Sequence, residues 1–101
     1  MVTPHLFYNV MHFIYLLQSR KNNQKFYIGI TSNLKKRITE HNNGESVYTN
    51  RYKPWEIIYF EAFLSRDDAR NRERALKHHG KGLAELKKRL RHSIRRKKVR
   101  G

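Results

Sequence analysis

The sequence predicts an α/β chain of the α+β type, one small domain whose strands and helices share a core. Three observations carry that expectation. Two apolar runs, HFIYLLQS at 12–19 and KFYIGI at 25–30, flank a five-residue polar turn. A third run, WEIIYFEAF at 55–63, is rich in aromatic and β-branched residues. Helical spacing of apolar residues recurs around these runs, at Leu34 and Ile38, at Ala69 and Leu76, and at Leu83, Leu86 and Leu90. A length of 101 residues suffices for one domain with one modest core and is too short for two domains.

Residues 1–11 show no clear periodicity and are read as an N-terminal extension without assigned function. From His12 to Ser19 both alternating faces are apolar, Phe13, Tyr15 and Leu17 against Ile14 and Leu16, which predicts a central strand covered on two sides. Arg20–Gln24, with Asn22 and Asn23 in the middle, turn the chain into a hairpin partner at Lys25–Ile30. Phe26, Ile28 and Ile30 share one face of that partner. Tyr27 and Gly29 occupy the other, where the missing side chain of Gly29 admits a close neighbour. Thr31 and Ser32 are the expected N-caps of a helix over 33–43 that stops at Gly44. Its inner stripe is Leu34, Ile38 and His41, with Arg37 at the edge.

Glu45–Lys53 reads as an exposed loop holding Tyr48, Arg51 and Tyr52 and closed by Pro54, before the strand at 55–63. Ser65 and Asp68 form a variant capping box and open a helix to about His78. On it Ala69, Glu73 and Leu76 recur at i, i+4 and i+7, so Glu73 points with the apolar residues. Gly80 and Gly82 break the pattern, and Leu83, Leu86, Leu90 and Ile94 then mark a further amphipathic helix. From Arg95 the tail RRKKVRG has little to bury and reads as disordered. The domain is therefore placed at 12–94, between the extension and a basic tail at 95–101.

Charge narrows the partners. Lys and Arg number 23 against 8 Asp and Glu, a formal charge of +15. Residues 61–101 carry net +10 of it and residues 1–60 net +5. Such an excess repels itself unless the partner is densely negative, and nucleic acid is the first candidate. The absence of cysteine excludes a disulfide scaffold and thiolate metal sites. The six histidines show no paired ligand spacing, so a structural zinc site is not expected. Leu6–Leu17 is interrupted by polar residues and falls short of the roughly 20 needed to cross a bilayer. With no signal peptide visible, the expectation is a cytoplasmic protein without a membrane partner or a small-molecule cofactor.

Three polar groups break local expectation: Tyr27 beside Gly29, Arg37 beside an inner stripe, and Glu73 on one. A buried carboxylate requires a cation or a metal as partner. For Glu73 the structural alternative is an ion pair with an arginine such as Arg37, and the functional one is a carboxylate holding a divalent ion in a cleft floored by the sheet. For Tyr15, Tyr27 and His41 the alternative is a packed side chain whose polar atoms are satisfied internally.

FIYLL at 13–17 and YIG at 27–29, joined by a hairpin and followed by LKKRITEH and a glutamate helix, resemble the GIY-YIG nuclease superfamily. The likeness is greatest to its small stand-alone bacterial members, extends to the amino-terminal module of the excision-repair incision subunit, and spans about residues 12–90. It implies a three-stranded antiparallel sheet flanked by about three helices, and a DNA endonuclease that hydrolyses phosphodiester bonds with Mg2+ or Mn2+, in repair or processing. The alternative it leaves open is a nucleic-acid-binding module with a degenerate nuclease fold and no turnover. Matched residue by residue, Tyr15 and Tyr27 take the places of the two motif tyrosines. Arg37 takes that of the helix arginine, His41 that of the residue one turn later, and Glu73 that of the metal-binding glutamate. Phe13 stands where the first motif has glycine, and the asparagine some members place after the glutamate helix has no counterpart.

In the family a tyrosine is proposed to deprotonate the attacking water, a role Tyr27 inherits. An unperturbed tyrosine is only about 0.1% ionised at pH 7, so that role needs cations nearby, from Arg37, Lys36 or the metal. Phosphate contacts are expected from Lys35, Lys36, Arg51, Arg70, Lys77, Lys81, Lys87 and Lys88. No segment carries a base-reading motif, and oligomeric state is not readable.

Overall fold

The hairpin forms where alternation places it. In the computed structural model, which describes residues 11–96 except for the side chain of His79, β1 (His12–Ser19) pairs antiparallel with β2 (Phe26–Thr31). On its other side β1 pairs antiparallel with β3 (Trp55–Phe63), giving the order β2-β1-β3. The twofold-covered strand is thus central, and the architecture is a three-stranded antiparallel sheet with helices, an α+β fold. The β1–β3 register shifts between Leu16 and Leu17, where Ile58 lacks an opposite number. In the turn, Ser19 Oγ accepts from the backbone N–H groups of Lys21 and Asn22 and donates to the Tyr52 carbonyl.

The two sheet faces build two apolar clusters. Ile14, Leu16 and Ile28 pack against Ala69 and Leu76 of α3 (Arg66–Lys77), Leu86 of α4 (Lys81–Arg89), and Leu90 and Ile94 beyond it. On the opposite face Tyr15, Leu17 and Trp55 pack with Leu34 and Ile38 of α1 (Leu34–Asn42) and Tyr52 of α2 (Val47–Tyr52). Ser65 caps α3 by accepting from Asp68 N–H, with Asp67 and Asp68 in the first turn and Arg74 and Lys77 in the last, complementing the helix dipole. Between α3 and α4 the chain makes a short 3-10 turn, His78–Gly80, in which Gly80 takes a left-handed φ of 69°.

Three expectations are corrected. The cap of α1 is Asn33, whose side chain accepts from Lys36 N–H, and neither Thr31 nor Ser32; the Thr31 hydroxyl instead accepts from Asn33 N–H. The expected loop at 45–53 contains α2, a helix of 6 residues. Arg95, assigned to a disordered tail, is bound to the domain. Its N–H and carbonyl pair with the buried Gln18 side chain, and its guanidinium grips Glu56 at 2.9 and 3.1 Å. The remainder of the expected tail and residues 1–10 lie outside the described residues. Among the described residues no helix is long and apolar enough to cross a membrane.

Candidate active site

Tyr15 lies at the middle of the central strand, 2% exposed, directly opposite Gly29 on β2. A Cβ at Gly29 would collide with the end of the Tyr15 ring, so the glycine lets the phenol lie across its neighbour strand. The Tyr15 hydroxyl then meets α1: it lies 2.9 Å from His41 Nε2, and the Arg37 guanidinium one turn earlier is near enough for its charge to act on the phenol. The single Thr49 hydroxyl hydrogen goes to the Ser46 carbonyl, so Thr49 accepts from His41, which places the imidazole proton on Nδ1 and leaves the Tyr15 O–H to donate to Nε2. From there Nδ1–H reaches Thr49 Oγ1 at 2.9 Å, and the Thr49 hydroxyl donates to the Ser46 carbonyl at 3.4 Å. The result is a directional chain from Tyr15 through His41 and Thr49 to the start of α2.

Electrostatics holds that chain in one protonation state. Burial, together with the Arg37 charge, lowers His41 to about 4, so the imidazole is neutral near pH 7. Burial raises Tyr15 to about 12, against the opposing influence of Arg37, so this phenol stays protonated. Neither group is set to exchange protons near neutrality. Arg37, on the same helix as His41, keeps its guanidinium a third exposed and pairs with Glu40 at 3.0 Å.

Tyr27 is half-buried on the same face, its ring 4.9 Å from the His41 ring in an edge-on contact and 6.3 Å from that of Tyr15. Glu73 arrives from α3, which packs on the other face of the sheet, and the two sets meet at the free edge of β2. The link is Lys77, whose Nζ lies 5.9 Å above the Tyr27 ring and 3.2 Å from Glu73 Oε2. Glu73 is close enough for its charge to bear on the Tyr15 hydroxyl. Tyr15, Tyr27 and His41 are thus in mutual ring contact, Arg37 sits one turn before His41 on α1, and Glu73 is linked to Tyr27 through Lys77. The expected Glu73–Arg37 pair does not form. Glu40, three residues along the same helix, claims Arg37, and Lys77, four residues along α3, claims Glu73.

Sequence reasoning missed Thr49, the terminal partner of His41, because a threonine in an apparent loop carries no signal. It also missed that Lys77 belongs to this cluster. Of the other expected phosphate contacts, Lys35, Lys36, Arg51, Arg70 and Lys81 are exposed. Lys87 is instead drawn over the Phe26 ring at 3.9 Å, where burial lowers its pKa, and Lys88 is paired with Glu85 at 3.2 Å. Their stems and charges are engaged locally, which weakens both as free cations.

Glu73 has the donor chemistry for a hard divalent ion, which is held by one or two carboxylates and otherwise keeps its waters or takes phosphate oxygens. Its side chain is 18% exposed and it lines a hollow with Arg74 and Lys77. Among the described residues no group of three or more His, Cys, Asp or Glu could hold a metal, which does not suit zinc but does not conflict with a single-carboxylate site.

Comparison with known proteins gives this geometry its context. A family model described as the GIY-YIG catalytic domain matches residues 11–92. The UPF0213 protein of Clostridium perfringens is 38% identical over 68 residues, covering 66% of this chain and 71% of its own. That of Haloquadratum walsbyi is 33% identical over 70 residues, covering 68% and 76%. The solution NMR structure of a UPF0213 protein from Bacillus halodurans is similar at 27% identity with a TM-score of 0.49, covering 79% of this chain and 84% of that one. The matched domain is that of a nuclease family, which implies a nucleic-acid substrate and whose members generally depend on a divalent metal. The chain belongs to the GIY-YIG family.

Proposed function

We propose that the protein is a metal-dependent DNA endonuclease, acting in DNA repair or processing, that hydrolyses a phosphodiester bond at the free edge of β2. The supporting observation is that Arg37, held by Glu40, lies near Tyr15 and the Tyr27 ring, to which Lys77 links Glu73 from a separate element. Arg37 is permanently charged and would neutralise the charge that develops on the phosphate. Tyr27 would take the proton of the attacking water. Tyr15 and His41, being neutral and hydrogen-bonded, would not move protons. Glu73 would hold Mg2+ or Mn2+, which when bound supplies positive charge for the leaving oxygen. Exposed Lys35, Lys36, Arg51, Arg70 and Lys81 would hold neighbouring phosphates.

One observation favours a second reading. Glu73 is already neutralised by Lys77, which suits a module that binds nucleic acid without cutting it. A nicking assay with magnesium on duplex, single-stranded and branched DNA separates the two. The parent chain should cut, while Glu73→Gln should bind and not cut. Wild-type cleavage rates in both Tyr27→Phe and Glu73→Gln would show that the site is wrongly assigned, and a parent chain that binds without cutting would favour the second reading.

A further inference from the structure

Beside Tyr27 lies a groove of about 310 Å³ that the proposed chemistry does not use. Tyr27, Tyr48, Phe26, Leu76 and Leu83 line it together with Lys77, whose Nζ lies over the Tyr27 ring. Its volume is at the low end of the range for small-ligand pockets. Tyr48 is the notable member. It stacks on Tyr27 with ring centres 6.1 Å apart and planes 29° from parallel, with Tyr52 at 5.4 Å and Trp55 at 6.2 Å, yet 43% of it stays exposed. Cations flank this aromatic row, Lys77 over Tyr27 and Lys25 5.2 Å over Tyr52. An apolar slot with an open aromatic ring, between two cations on a chain of net charge +15, fits a planar group carried on an anionic backbone.

We propose that this groove takes an unpaired nucleobase, so that the preferred substrate is DNA with a single-stranded or displaced nucleotide next to the bond that is cut. The position relative to the cut rests on the nuclease reading, because Tyr27 belongs to both the groove and the site. A base inside a duplex reaches such a slot only by leaving its stack, which disfavours intact duplex.

The test measures binding by the full chain carrying Glu73→Gln, with a single-stranded DNA oligonucleotide containing 2-aminopurine, its abasic counterpart, and the same sequence as a duplex. The 2-aminopurine strand should bind about tenfold more tightly than the abasic strand, the scale expected for one base–aromatic stack, and its fluorescence should be quenched. Adding Tyr48→Ala should abolish both effects, and Tyr48→Phe, which keeps the ring, should retain them. Equal affinity for abasic and base-containing strands would overturn the proposal, as would a quench that survives Tyr48→Ala or tighter binding of the duplex. A quench that depends on Tyr48, in a protein whose parent cuts nothing with magnesium, would support the base site while removing the nuclease.

Discussion

A histidine sealed from solvent between a phenol and a threonine hydroxyl is stable only while neutral. His41 is lowered to about 4 by burial and by Arg37, with Glu40 opposing, whereas in the unfolded chain it titrates near 6.5. Between those values the unfolded state binds a proton that the folded state refuses. Stability is therefore lost as pH falls from 6.5 to 4 and this group contributes no further loss below, a difference on the order of 3 kcal/mol at 1.36 kcal/mol per unit. Urea unfolding of the parent and of His41→Gln across that range checks it: the parent should fall more steeply, and parallel curves would contradict the assignment. Gly29 makes a second demand at this scale. Gly29→Ala pushes a Cβ into the Tyr15 ring, and overpacking of this kind costs about 1–3 kcal/mol. Thermal unfolding should show that loss, and, on the proposed nuclease reading, cleavage should fall with it because Tyr15 lies in the proposed site.

Helix α2 shows what a sequence pattern conveys and what it withholds. The three strands were legible because alternation or β-branched content runs through 8, 6 and 9 residues. The inward placement of Glu73 followed from helical period alone. VYTNRY is too short to show a helical period beyond the single Tyr48–Tyr52 pair, and its helix is also held by hydrogen bonds from residues outside it. Thr49 Oγ1 accepts from His41, the Thr49 carbonyl accepts from Trp55 Nε1 at 2.7 Å, and the Tyr52 carbonyl accepts from Ser19. The same limit applies to caps and partners. Thr31, Ser32 and Asn33 are all capable N-caps, so residue type could not choose among them, and periodicity could say that Glu73 needs a cation but not that Lys77 supplies it. Because α2 delivers the acceptor for His41 in the chain from Tyr15, Thr49→Val should leave the His41 Nδ1–H buried without a partner. The expected cost is about 1–3 kcal/mol, with Thr49→Ser retaining most of the stability. Equal unfolding midpoints for Thr49→Val and the parent would show that the hydroxyl does not hold the imidazole.

Over the whole molecule, charge and fold meet at the C-terminal end of the domain. Gln18 is 1% exposed, and its amide is satisfied by Asn23 and by both backbone groups of Arg95. The end of the fold therefore lies at or beyond Arg95, and the basic residues that follow can be separated from it. Ending the chain after Arg96 removes Lys97, Lys98 and Arg100 while leaving the Gln18 hydrogen bonds in place. If those three cations touch phosphate, the slope of log affinity for duplex DNA against log salt should flatten by as much as about 0.9 for each, with the unfolding midpoint unchanged. Ending the chain after Ile94 should instead lower stability by about 1–3 kcal/mol, since the Gln18 carbonyl oxygen is then deprived of its donor inside the core. Salt titrations on both truncations, read beside their denaturation curves, distinguish removal of a phosphate-binding cation from removal of a buried hydrogen bond. An unchanged slope after the first cut would exclude phosphate binding by the tail, and unchanged stability after the second would exclude Gln18 as its anchor.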